Sequence, residues 1–207
     1  NLKSLVFLNR RGFSTFVSCR SCGYVAKCPN CSVSLTYHIK GEKLKCHMCD
    51  YAQDMLKICP ECGSKYIKQF GSGTQKAEET LKEQFGNVEI IRMDGDTTSH
   101  KFSHERLLDR FSEENAGILL GTQMITKGHD FHDLTLSIVL AADTLINTGE
   151  YNSSEKAFSQ LVQVCGRAGR GDIPGKAIIQ TYDPKNKIFE YVKTNAYESF
   201  YNDEINA

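Results

Sequence analysis

Short apolar runs alternate along this chain with stretches of helical spacing, and one long segment shows neither pattern. Leu5-Val6-Phe7-Leu8, the basic Asn9-Arg10-Arg11-Gly12 and then Phe13 to Val17 predict strand, turn, strand. From Cys19 to Cys62 aliphatic residues are scarce and no helical period is visible. After Gly63 the reading becomes strand then helix, repeatedly. Tyr66 to Phe70 is a short strand. Gly71-Ser72-Gly73-Thr74 opens a helix with Thr74 as N-cap and Glu78 and Glu79 early in it. Ala77, Leu81 and Phe85, spaced by four, give that helix one buried face. Val88 to Met93 is a strand, Asp94-Gly95-Asp96-Thr97-Thr98 a polar loop, and Ser99 to Phe111 a helix with Phe102, Leu107, Leu108 and Phe111 inward. The runs Gly117 to Gly121 and Leu136 to Ala141 read as strands buried on both faces.

A long loop then reaches Ser153 or Ser154, either able to cap a helix. On that helix Phe158, Leu161, Val162 and Cys165 share a face, which makes Cys165 a core residue. Lys176 to Tyr182 is the last strand, Asp183-Pro184 breaks it, and a final helix covers about Asn186 to Ile205. Strands and helices in alternation predict an α/β fold, a mainly parallel sheet with helices on both faces. No internal repeat or low-complexity segment is visible.

Composition narrows the function classes. The 207 residues suffice for one good core plus a small module. Formal net charge is zero, so any nucleic-acid contact must be a local patch. No apolar run approaches the roughly 20 residues of a membrane span, and the start lacks signal-peptide character. A cytoplasmic location without membrane contact is expected. The chain also begins without methionine, so a piece of a longer protein is expected.

Nine cysteines are many, and all but Cys165 lie between Cys19 and Cys62 as C-x-x-C pairs. Strict pairing without a signal segment points to metal rather than disulfides. Thiolates are soft ligands, and four in a tetrahedron suit Zn2+. Three groupings into two sites are possible. Ser34 to Lys45 reads as a β-hairpin turning at Gly41, which returns the chain and sets Cys28 and Cys31 against Cys46 and Cys49. Cys19, Cys22, Cys59 and Cys62 then form the outer site, clamping the strands that enter and leave the module; an interleaved grouping is the alternative. Gly23 and Gly63 follow the outer pairs alone and mark them as equivalent. His38 and His47 read as surface residues. Four thiolates leave no open coordination position, so these zincs are structural. Lys27, Lys40, Lys43 and Lys45 favour a polyanion modestly, as do Arg10 and Arg11 at the first turn.

Two further stretches carry chemistry. Ile118 to Gln123 is a buried strand ending in polar residues, at the edge where α/β sheets place ligands, and it runs on to Phe131. Gln163 to Arg170, Q-V-C-G-R-A-G-R, ends a helix on two arginines whose planar forks suit phosphate oxygens. G-T-Q-M-I-T-K-G-H-D-F (121–131) resembles motif V of superfamily 2 helicases, and Q-V-C-G-R-A-G-R (163–170) resembles their motif VI. The four C-x-x-C pairs, with N-R-R-G-F (9–13), G-S-G-T (71–74) and D-G-D-T-T (94–98), narrow the resemblance to the primosomal replication-restart helicases.

That resemblance implies a RecA-like second helicase lobe at 1–18 and 63–185, with a two-zinc hairpin/ribbon module inserted at 19–62. It also implies a C-terminal helix at 186–207 where a further domain begins. The implied function is an ATP- and Mg2+-dependent 3′-to-5′ DNA helicase that recognises branched forks. Its implied partners are other primosome proteins, single-strand-binding protein and the replicative helicase loader. By motif, Arg167 and Arg170 face the ATP phosphates and Arg170 is the arginine finger. Gln163 couples nucleotide to strand, Gly128 and Asp130 contact nucleotide, and Thr122, Gln123 and Lys127 contact DNA. The chain contains no G-x-x-x-x-G-K-[ST] and no Asp-Glu-x-His box. The expectation is therefore that this piece alone neither hydrolyses ATP nor unwinds DNA. The competing readings are a non-enzymatic zinc-ribbon module that binds nucleic acid and one that docks proteins.

Overall fold

The computed structural model describes residues 2–9, 15–38, 41–69, 73–98, 103–126 and 131–206. The chain forms two compact units. The first holds Asn1–Arg10, Ser72–Ala142 and Gln160–Gln180; the second holds Arg11–Gly71, Asp143–Ser159 and Thr181–Ala207.

The first unit is a parallel sheet with helices. Its strands are β1 (Lys3–Leu8), β7 (Glu89–Met93), β8 (Gly117–Gly121), β9 (Leu134–Leu140) and β10 (Lys176–Ile179), in the spatial order β10-β9-β1-β8-β7. Every pairing is parallel. The apolar runs decide which strands sit in the middle: β8 is buried along its whole length, and Leu5 to Leu8 of β1 are buried too. Val6, Ile90, Ile118 and Leu120 form a core against which Ala77 and Leu81 of α1 (Thr74–Gln84) pack. The helix α2 (Ser103–Glu113) buries Leu108 and Phe111. Gly121 ends β8 where a Cβ would lie 2.5 Å from the Met93 carbonyl, so only glycine fits there.

The second unit carries an antiparallel sheet in the order β5-β4-β3-β2-β6: β5 (Ala52–Asp54), β4 (Lys43–Lys45), β3 (Thr36–His38), β2 (Thr15–Cys19) and β6 (Ile67–Gln69). Strands β3 and β4 are the expected hairpin, with Gly41 at φ +91°. Also in this unit are α3 (Asp143–Ile146), the first half of α4 (Ser153–Cys165), α5 (Ile188–Thr194) and α6 (Tyr197–Ile205).

Several elements differ from expectation. Strands β1 and β2 are the two expected at the start of the chain, and they join different sheets. Asp143–Ser159 and Thr181–Ala207 group with the cysteine-rich segment in the second unit. Polar contacts tie them there. The buried Asp143 carboxylate accepts from Thr181 Oγ1 at 3.2 Å and from the Tyr182 amide, and Ser34 Oγ donates to Asn147 Oδ1 at 3.2 Å. The long loop before α4 contains α3. Gly73, not Thr74, caps α1; Thr74 is fully buried and donates its hydroxyl to Asp94 instead. Phe85, just past the end of α1, is exposed rather than inward. On α4 the buried face is Ala157, Phe158, Leu161 and Val164, with Val162 and Cys165 half-buried beside it. The last helix is two, because Asn195 adopts the left-handed conformation at φ +51° and its amide closes α5 on Tyr191 and Val192. Phe102, Arg10 and Arg11 lie outside the described residues.

Candidate functional site

The eight clustered cysteines form four copies of one backbone turn. In each, the amide four residues after the first cysteine donates to that cysteine's carbonyl: Gly23 to Cys19, Ser32 to Cys28, Asp50 to Cys46 and Gly63 to Cys59, at 2.9–3.1 Å. In each, the first cysteine's own amide donates to the residue five ahead: Tyr24, Val33, Tyr51 and Ser64, at 2.8–2.9 Å. The residue closing each turn has positive φ: Gly23 +81°, Ser32 +57°, Asp50 +58° and Gly63 +70°. The glycines marked only two of the four. Serine and aspartate tolerate the left-handed region less readily, so the repeat is hidden in the sequence. In every copy the first cysteine is buried, while Cys22, Cys49 and Cys62 are exposed and Cys31 is half-buried. The buried four pack with Val17, Ala26, Leu35, Leu44 and Ile67 in the second unit's core.

These turns bring Cys19, Cys22, Cys59 and Cys62 together, and separately Cys28, Cys31, Cys46 and Cys49; within each cluster all sulfurs lie within 4.8 Å of one another. A tetrahedral zinc site with Zn–S of about 2.3 Å has S–S edges of about 3.8 Å. The edges Cys19–Cys62, Cys22–Cys59 and Cys28–Cys49 are 3.6, 3.7 and 3.6 Å. They fit zinc and are far too long for a disulfide. The thiols also resist ionising together without a cation. At Cys19 burial pushes the pKa up, but amides of the turn and neighbouring thiols outweigh it and pull it down to about 6. At Cys31 the Cys49 sulfur, aided by burial, pushes it up to about 12. A divalent ion resolves that conflict. Both clusters are thus zinc-binding, closed four-thiolate sites whose role is structural. His38 and His47 contribute no ligand; their rings lie 5.2 Å apart. The outer cluster sits where β2 pairs with β6, through Cys19 opposite Ile67, and Ser21 and Ser64 hydroxyls meet across it at 2.9 Å. Of the module's lysines, Lys43 pairs with Asp54 at 2.9 Å, and Lys40 lies outside the described residues.

In the first unit the carboxyl edge of the parallel sheet gathers two other segments. Thr122, which follows β8, is buried, and Gln123 opens a 3-10 turn through Thr126. The guanidinium of Arg167 donates to the Thr126 carbonyl, the Gly169 amide to the Leu134 carbonyl at 2.9 Å, and Gly171 lies so close to the His132 carbonyl that a Cβ there would overlap it. Residues 163–170 and the flanks of 121–131 are therefore one surface. Arg167 is half-buried in it, Gln163 and Arg170 are exposed, and Arg170 Nε donates to the Gly166 carbonyl at 3.0 Å. Lys127, Gly128 and Asp130 lie outside the described residues. Cys165 is no nucleophile here: burial pushes its pKa up to about 11.

Sequence reasoning overlooked Asp94, the centre of a polar cluster at the end of β7. It is buried and takes bonds from Thr74 Oγ1, Arg92 and the amides of Asp96 and Thr97. Arg92 is held in turn by Glu78 at 2.8 Å. Thr98 Oγ1 reaches both the Asp94 carbonyl and Met124 Sδ, linking this loop to the turn after β8. The D-G-D-T-T spacing, with acid and hydroxyls able to close on one another, was the available signal.

Comparison with known proteins agrees with both parts. Residues 28–53 match the PriA DNA helicase Cys-rich region domain, and residues 61–172 match the helicase conserved C-terminal domain. The replication restart protein PriA of Synechocystis is 52% identical over 98% of this chain, and that of Bacillus subtilis 51% identical over 98%. The Thermotoga maritima protein of the same name is 37% identical over 97%. The chain spans about a quarter of the length of these relatives (25%, 25% and 27%). With more than half of its residues inside that match, the chain belongs to the helicase conserved C-terminal domain family, and it carries the cysteine-rich region of PriA helicases within it.

Proposed function

We propose that this chain is the second lobe of an ATP-dependent 3′-to-5′ DNA helicase that restarts stalled replication forks. The observation that carries the reading is the bond from Arg167 to the Thr126 carbonyl, which joins the motif VI-like helix end to the motif V-like turn on one sheet edge. Anchored there, Arg167 sets the loop. The exposed Arg170 stands ready to stabilise charge on a transferred phosphoryl group held by a partner lobe, and Gln163 beside it couples nucleotide to strand. Gly128 and Asp130 approach the nucleotide, and Thr122, Gln123 and Lys127 the DNA backbone. Mg2+ and the phosphate cradle come from the other lobe, since this sequence has no G-x-x-x-x-G-K-[ST]. Residues 1–18 and 63–185 make up the lobe and 19–62 its zinc insertion, a rigid platform for forked DNA or for primosome proteins, single-strand-binding protein and the helicase loader. The setting is the bacterial cytoplasm; none of the described helices is long and apolar enough to cross a membrane.

Arg170→Ala in the full-length protein tests the assignment. DNA-stimulated ATPase should fall by roughly a thousandfold or more, the usual worth of an arginine finger, with forked-DNA binding and zinc content retained. Unchanged ATPase would reduce the α/β unit to a scaffold.

A further inference from the structure

The second unit carries a groove that uses neither zinc cluster. It lies between the start of α4 and α6, has a volume of about 250 Å3, and is lined chiefly by Tyr151, Glu155, Tyr197, Tyr201, Glu204 and Ile205. Its floor is fixed: Phe200 stacks on Phe158 with ring centroids 4.5 Å apart and planes within 7°. Its walls are open. Tyr151 is 85% exposed, Ile205 63%, Tyr197 57% and Tyr201 49%, and the rings of Tyr197 and Tyr201 stack at 6.2 Å. One exposed aromatic side chain needs no explanation, but contiguous ones that share a groove do.

Charge identifies the occupant. Glu155 and Glu204 are exposed at the groove, and among the described residues neither takes part in an ion pair. Among the described residues no lysine or arginine lines it. Tyrosine faces attract cations, carboxylates attract them further, and an aliphatic stem of Lys or Arg suits the apolar walls. The same carboxylates repel phosphate, so a nucleic-acid strand finds aromatic faces here at the wrong potential. We propose that this groove docks an extended segment of a partner protein, laying a Lys or Arg side chain across Tyr197 and Tyr201 between Glu155 and Glu204, with an apolar neighbour on Ile205. The proposal does not depend on the helicase reading, because it uses no residue of the sheet edge.

The test uses the full-length protein and a short fluorescein-labelled peptide alternating Leu and Arg, followed by anisotropy. The peptide should bind, and a matched Leu–Glu peptide should not. Glu155→Gln with Glu204→Gln should weaken binding by about tenfold, a few-fold for each exposed charge pair. Tyr201→Ala should weaken it as well, with zinc content and ATPase unchanged. Wild-type affinity in the double Glu→Gln variant would overturn the proposal. So would loss of binding to a single-stranded oligonucleotide, or to phosphatidylglycerol vesicles, in Tyr201→Ala, since nucleic acid or lipid would then be the occupant. Hydroxyl-radical footprinting that leaves Tyr151, Tyr197 and Tyr201 unmodified would overturn it too, by showing the groove covered by the protein's own chain.

Discussion

Replacing Gly23 and Gly63 by alanine, one at a time, separates two costs that the cysteine turns otherwise combine. Both glycines close a turn of the outer zinc cluster with positive φ, +81° and +70°. An L-residue in the left-handed region costs about 1–2 kcal/mol, and the loss of glycine's freedom in the unfolded chain offsets roughly 0.4–1 kcal/mol of that. Nothing lies within 4 Å of a Cβ at Gly63, so Gly63→Ala should cost about 1 kcal/mol. Ser32 and Asp50 already bear that strain in the inner turns, at +57° and +58°. At Gly23 the added Cβ would sit 2.7 Å from the Tyr182 carbonyl oxygen and 3.1 Å from Asp183 Cβ. The first is backbone and cannot swing aside, so overpacking adds about 1–3 kcal/mol, for a total near 2–4 kcal/mol. Arg20, whose guanidinium lies 4.7 Å from the Tyr182 ring, would be displaced with it. Denaturant unfolding followed by tyrosine fluorescence suits a chain with nine tyrosines and no tryptophan, and chelator-triggered zinc release gives a second readout. Equal costs for the two variants, within about 0.5 kcal/mol, would refute the reasoning, since the steric term would then be absent.

Other consequences follow from the polar and thiol groups. Burial pushes the Asp94 carboxyl up, but bonds from Thr74, Thr97, Arg92 and Asp96 outweigh it and hold the pKa below the ordinary carboxylate range. A pKa lower in the folded state means that this group's contribution is complete above its unfolded value of about 4 and disappears as pH falls toward the folded one. Asp94→Asn should therefore flatten the acid limb of urea stability measured against pH, and cost about 2–4 kcal/mol at neutral pH; an unchanged acid limb would contradict this. Cys165, with its pKa pushed up to about 11, should resist iodoacetamide at neutral pH until the protein unfolds, as mass spectrometry of the labelled chain would show. Stripping zinc should abolish the antiparallel sheet's circular-dichroism signal and remove on the order of 10 kcal/mol per site, whereas a sheet that survives chelation would mean that its small apolar core suffices.

Much of the second unit's chemistry was legible because cysteine spacing is a local property. C-x-x-C places two sulfurs on one turn, and the hairpin at Gly41 determines which turns meet. The parallel strands were legible for a similar reason: Ile118-Leu119-Leu120 and Leu5 to Leu8 are continuous apolar runs, which only strands covered on both faces need. Thr122, Gln123 and Arg167 were legible only as residue types, polar or charged side chains at a strand or helix end. What each one touches was not.

The sequence by itself determined the alternation of strands and helices after Gly63 and the two thiolate sets, since each depends on spacing of a few residues. Only the tertiary structure decided that Thr74 turns from helix cap to partner of a buried Asp94, that Phe85 stays out of the core, and that Asn195 splits the last helix. It alone decided that Ser32 and Asp50 repeat the turn of Gly23 and Gly63, and that Arg167 grips the Thr126 carbonyl, 41 residues away, while Arg170 remains exposed. The physical reason is common to all of these. Each is a choice between two local states of similar energy, and contacts distant in sequence tip the balance.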